Sequence, residues 1–152
     1  MEMALVPLVM VAMNIVYALT AYPCGVLSDR IGHRSLLAGG ICVLILSDLL
    51  LATSNHWLFV ISGVGLWGVH LGMTQGLLAA MVAEHAPRNL FGTAYGFFNL
   101  VTGLALLIAS LLAGIFWDRV GAASTFVAGG AFCALALIAL AFCPLKKVAR
   151  SA

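Results

Sequence analysis

Gly25-Val26-Leu27-Ser28-Asp29-Arg30-Ile31-Gly32-His33-Arg34 joins two long apolar runs. Three charged residues and a histidine crowd this short connection. In a chain this apolar, so tight a charge cluster reads as a loop at a membrane face. The 152 residues are 64% hydrophobic and only 8% charged, with a mean hydropathy of +1.16. Soluble domains carry about 25% charged residues. So few charges could not cover a water-exposed surface, so most of the solvent around this chain is lipid.

Working outward from the loop, the apolar runs set the fold class. A hydrocarbon core about 30 Å thick needs roughly 20 apolar residues per helix. Five runs qualify, at about 4–28, 36–53, 57–83, 91–117 and 121–143, followed by a tail at 144–152. In lipid the backbone must satisfy its own hydrogen bonds, which leaves helices or a closed barrel. Strict apolar–polar alternation is absent, which argues against the barrel. The expectation is an all-α membrane protein with five transmembrane helices. The first run has no basic n-region and is too long for a cleaved leader. Cys24, Cys42, Cys133 and Cys143 form no C-x-x-C pair and read as small packing residues.

Loop charges orient the chain. Arg30, Arg34, Arg88, Lys146, Lys147 and Arg150 fall in the first loop, third loop and tail, against Arg119 alone in the others. The positive-inside rule places the former set, with the C-terminus, in the cytoplasm. The net charge of +2 is thereby explained by topology, and no nucleic-acid partner is expected.

An internal repeat follows from the same loop. Gly25-x-x-x-Asp29-Arg30-x-Gly32 returns as Gly114-x-x-x-Asp118-Arg119-x-Gly121, each copy closing a long span. Each is followed by small residues, Leu37-Ala38-Gly39-Gly40 and Val127-Ala128-Gly129-Gly130. With the copies on opposite membrane sides, this is the trace of an inverted-topology repeat.

The Gly25–Arg34 loop resembles the signature G-x-L-a-D-R-x-G-R-R/K of the major facilitator superfamily, departing from it at His33. Arg88-x-x-x-Gly92-Thr93-Ala94-Tyr95-Gly96-Phe97-Phe98-Asn99, leading to Gly114 and Trp117-Asp118, resembles the family's eleventh helix. The resemblance implies a partial facilitator-type six-helix half with inverted three-helix repeats, running from the eighth to the twelfth helix. One helix would precede Met1, and an N-terminal transporter half is expected in the same or a separate chain. The implied function is secondary active transport of a small solute by alternating access in the cell membrane, with proton-coupled efflux as one form.

Several residues could carry that function. The resemblance makes Gly25, Asp29, Arg30, Gly32 and Arg34 a conformational latch, with Asp29 as its anion and the arginines as partners. A solvated turn is the alternative. Gly65, Gly68, Gly72 and Gly76 recur at helical spacing and permit close helix contact, as does Gly92-x-x-x-Gly96. These stripes read as a rocking surface or as static packing. Trp67, His70 and Thr74 share a face opposite the first stripe, with Gln75 beside them. Asn14 and Tyr17 share a face of the first span, and Tyr95, Asn99 and Thr102 one of the fourth. Polar residues inside spans are costly. Asn14, Tyr17, His70, Thr74, Gln75, Tyr95, Asn99 and Thr102 are therefore substrate-contact candidates or structural hydrogen bonders.

Asp48 is the carboxylate set well inside a span, where a charge costs about 2.5–3.5 kcal/mol on insertion scales. It reads as a structural hydrogen bonder or a proton-coupling group. Glu84 and His85 read as loop polarity. No nucleophile elbow, P-loop or clustered metal ligands occur, so neither enzyme chemistry, nor a cofactor, nor a metal is expected. The competing class is a standalone five-span interaction protein that regulates a partner without transporting.

Overall fold

The computed structural model describes residues 6–53 and 56–142. Five helices follow in order: α1 (Val6–Ile31), α2 (His33–Ala52), α3 (Trp57–His85), α4 (Phe91–Arg119) and α5 (Ala122–Phe142). A 3-10 turn, Arg88–Leu90, leads into α4. All five helices are long and apolar enough to cross a membrane. They run past several of the expected span ends: α1 continues to Ile31 and α2 already begins at His33. The tail 144–152 with Lys146, Lys147 and Arg150, and Ser54 and Asn55 of the second loop, lie outside the described residues.

Helix ends follow local chemistry. Gly32 alone separates α1 from α2, with φ 86° and ψ 151°. That region is essentially closed to residues with a Cβ. Gly121, between α4 and α5, has φ 114°. Its N–H donates to the Phe116 and Trp117 carbonyls, closing the last turn of α4. These are the two residues with positive φ among the described ones, and they are the matching glycines of the internal repeat. At the other two turns, His56 accepts from the Leu58 N–H to start α3, and Pro87 follows the α3 C-cap Ala86.

Contacts between helices fix their directions. Gly68 meets Met13 and Val16, and four residues on, Gly72 meets Thr20 and Ala21, so α1 and α3 run parallel. Ser47 Oγ donates to the Gly63 carbonyl at 2.7 Å, while Gly40 meets Thr74, so α2 runs against α3. Arg34 reaches Leu140 and Asp48 reaches Gly129, so α5 runs against α2. Thr125 Oγ1 donates to the Ala113 carbonyl at 3.3 Å, and Tyr95 Oη to the Ala79 carbonyl at 2.9 Å. These bonds set α4 against both α5 and α3. The C-terminal ends of α1 and α4, and with them the two repeat copies, therefore lie at opposite ends of the bundle.

The core lies along α2 and α3. Leu36, Leu51 and Leu77 are its buried apolar side chains, joined by Ser28, Ser47, Asp48 and Thr74. No described residue of α4 or α5 is fully buried. The glycines of the α3 stripe divide accordingly. A methyl on Gly68 would fall 2.6 Å from the Met13 backbone oxygen, and one on Gly72 would collide with Thr20 Oγ1. At Gly65, Gly76, Gly92 and Gly96 it would meet nothing within 4 Å.

This division predicts unequal alanine effects. Gly68→Ala pushes against backbone, which cannot yield as a side chain can. It should cost about 1–3 kcal/mol by overpacking. Gly65→Ala should be neutral or stabilising by up to about 1 kcal/mol, through helix propensity. Thermal unfolding of both variants in detergent tests the difference, and equal midpoints would contradict the packing described.

Candidate functional site

The charged end of α1, α2 and α3 carries the loop that opened the reading. Gly32 turns the chain so sharply that Asp29 and Arg30 close α1 while His33 and Arg34 begin α2. Among the described residues Arg34 clamps no carboxylate. Its Nη2 donates to the Leu140 carbonyl at 2.6 Å and the Ala141 carbonyl at 3.0 Å. These lie at the C-terminal end of α5, where the helix dipole favours a cation. The sequence pattern pointed to Asp29 as the partner of Arg34, because terminal carbonyls of a helix more than a hundred residues away leave no signal in it.

His33 and Glu84 are the second tie at this end. His33 Nδ1 lies 3.6 Å from Glu84 Oε2, an ion pair when the imidazole is protonated. Glu84 sits in the last turn of α3, where the dipole disfavours an anion. When the imidazole is charged, the pair offsets that penalty and ties α2 to α3. Reading Glu84 as mere loop polarity missed it. Asp29 and Arg30 are exposed and make no ion pair among the described residues. A cavity of about 380 Å³ opens beside them, with Ser28, Asp29, His33 and Glu84 on its polar side. Gly25 also lines it, and nothing lies within 4 Å of a methyl built there.

The candidates within the spans separate into two groups. His70 and Thr74 turn into the α2–α3 seam. His70 Nδ1 donates to the Gly40 carbonyl at 2.8 Å, since a carbonyl can only accept. Thr74 Oγ1 returns its hydrogen to the His70 carbonyl at 2.9 Å, and its methyl packs on Gly40. Tyr95, half-buried, spends its hydroxyl on Ala79. These three act as interhelical hydrogen bonders or packing groups. Asn14, Gln75, Asn99 and Thr102 are exposed, and Tyr17 is half-buried. Asn14 Nδ2 donates to its own helix at the Met10 carbonyl, 2.8 Å away. Among the described residues, no group of three or more His, Cys, Asp or Glu could hold a metal.

The Arg34 bond gives a direct test. Arg34→Ala should lower stability by about 1–2 kcal/mol, the range for hydrogen bonds to a charged group at a partly wet site. Arg34→Lys, which keeps the charge but loses the fork, should fall between. Denaturant titration of the purified variants measures this, and an unchanged midpoint for the alanine variant would remove the α5 tie.

Comparison with known proteins adds the lineage. The family model described as Major Facilitator Superfamily matches residues 2–152. An MFS-type transporter of Methanocaldococcus jannaschii is 33% identical over 129 residues, covering 85% of this chain and 32% of its own. A facilitated glucose transporter homolog of Caenorhabditis elegans is 31% identical over 102 residues, covering 64% of this chain and 20% of its own. A Mycobacterium bovis protein is 30% identical over 115 residues, covering 76% and 28%. The chain thus spans at most about a third of the length of these relatives. With the signature loop, five membrane-length helices and a family match along almost its entire length, this multi-pass membrane protein belongs to the Major Facilitator Superfamily of transporters.

Proposed function

We propose that this chain is the C-terminal part of a secondary transporter that moves a small solute by alternating access. The family match over residues 2–152 carries this reading. The nematode relative, named as a facilitated glucose transporter homolog, fits a small-solute class. The exposed polar side chains of α1, α3 and α4 support it physically. Asn14, Gln75, Asn99 and Thr102 are exposed on these helices. Facing hydrocarbon, such groups are costly, whereas beside a watery pathway they are not. Solute contact is therefore assigned to these four, with Tyr17.

The charged end of the bundle is assigned to the cytoplasm, on the positive-inside argument. Asp29 and Arg30 then form the latch toward the other transporter half, while Arg34 and His33 hold the loop to its own half. Proton coupling would fall to Asp48, four residues before the end of α2, and to His70 within α3. Export is the direction to test first.

Two experiments test the proposal. Sequencing upstream of the Met1 codon should find an open frame encoding further apolar spans. A stop codon directly upstream, with no separate partner half, would overturn the C-terminal assignment. In liposomes, the chain alone should move no solute above empty vesicles, because it supplies part of one cavity wall. Uptake or efflux by the chain alone would contradict that. Topology has its own check. With the native cysteines replaced, a cysteine at Ser35 should label from the cytoplasm and one at Ser54 from outside. The inverse labelling would reverse the orientation.

A further inference from the structure

Asp48 lies four residues before the end of α2 and is only 7% exposed. At 1.5 Å per residue this is about 6 Å inside the helix end. The sequence suggested a structural hydrogen bond, and none is present: among the described residues no donor reaches its carboxyl oxygens. Fully enclosed side-chain oxygens and nitrogens of the described residues all have partners. The Asp48 oxygens are therefore not fully enclosed, and Asp48 lines a cavity of about 290 Å³ between α2, α3, α4 and α5. The carboxyl leans over Gly129 of α5, where a methyl would come within 2.9 Å of Oδ2. Trp67, Phe116, Phe126 and Phe132 form much of the remaining wall.

A buried carboxylate without a partner is costly, and a cation or a proton must neutralise it. One carboxylate is too few ligands for a hard inorganic cation, which takes six or more oxygens. Aromatic faces attract organic cations through their ring quadrupoles. Apolar walls contribute by covering alkyl groups. We propose that this cavity is a binding site for an organic ammonium ion, with Asp48 holding the charge and the aromatic wall holding the alkyl body. The site goes beyond the transport reading and does not rest on it, since binding is measurable without transport.

The test uses the purified chain in maltoside detergent, which carries no amine, and radiolabelled tetraethylammonium in equilibrium dialysis. Saturable binding above protein-free micelles is expected. Asp48→Asn, which keeps the shape, should weaken it by about tenfold or more, as expected for loss of a charge-assisted contact. Asp48→Glu should retain most of it. Ala109→Phe, which fills the cavity from α4, should abolish it while leaving Asp48 in place. Circular dichroism and monodispersity establish that each variant folds. Adding phosphatidylethanolamine distinguishes sources. Competition marks a lipid headgroup amine as the ligand, and its absence marks a free amine. The absence of saturable binding, or equal binding by wild type and Asp48→Asn, would overturn the proposal. So would equal displacement by the neutral isostere tetraethylmethane, which would leave the cavity a greasy pocket with a protonated acid.

Discussion

Met13's backbone oxygen lies where a methyl on Gly68 would sit only 2.6 Å away, so α1 and α3 meet backbone to backbone. The rest of the bundle depends on contacts of this kind. Lipid tails are as apolar as leucine, so burying leucine between helices gains little in a membrane. What remains is dispersion, which falls steeply with separation, and hydrogen bonds. Small residues let α3 draw close to both neighbours, at Gly68 and Gly72 toward α1 and at Gly63 toward α2. Two polar bonds then sit in the tightened α2–α3 seam, Ser47 to Gly63 and His70 to Gly40. Both use a helix carbonyl as acceptor, and both have their partner on a glycine, where no Cβ shields the oxygen.

The same constraint recurs through the repeat. Gly40 and Gly129 occupy the matching small-residue runs. Gly40 receives Thr74 from α3, and Gly129 receives Asp48 from α2. The turn glycines Gly32 and Gly121 both take positive φ, at opposite ends of the bundle. The turn backbone is thus reproduced in both copies, as expected of one helical unit used twice in opposite directions. The copies differ in occupant, a hydroxyl-bearing side chain in one seam and a carboxyl in the other.

How much of this the sequence carried depends on the range of each interaction. Span number, the turn at Gly32 and the family resemblance rest on local composition and motif, and they were legible. Partner choice was not. Gly65 and Gly68 have the same spacing pattern, yet only Gly68 has a neighbour at its surface. His70 and Trp67 share a face by periodicity. In space His70 faces Gly40 of α2, and Trp67 lines the Asp48 cavity. One face of a helix can touch two neighbours along its length, and a single sequence shows the face without the neighbours. Asp48 failed differently. Its cost in a span was evident from its charge, but a hydrogen bond and an open cavity predict the same residue.

The charged end shows why motif resemblance transfers residues more safely than roles. The motif makes Arg30 and Arg34 the partners of Asp29, with His33 a departure from the pattern. Arg34 instead holds two carbonyls of α5, and His33 faces Glu84 of α3. The arginine tie keeps its charge whatever the pH, because a guanidinium is always charged in a protein. The histidine tie exists only while the imidazole carries a proton. Placing histidine where the family pattern has arginine leaves the α2–α5 seam fixed and makes the electrostatic part of the α2–α3 contact conditional. The core seam beneath it, built on Ser47, Gly63 and Leu51, does not depend on that charge. Asp29 and Arg30, exposed at the same end, are left with side chains uncommitted to any described ion pair.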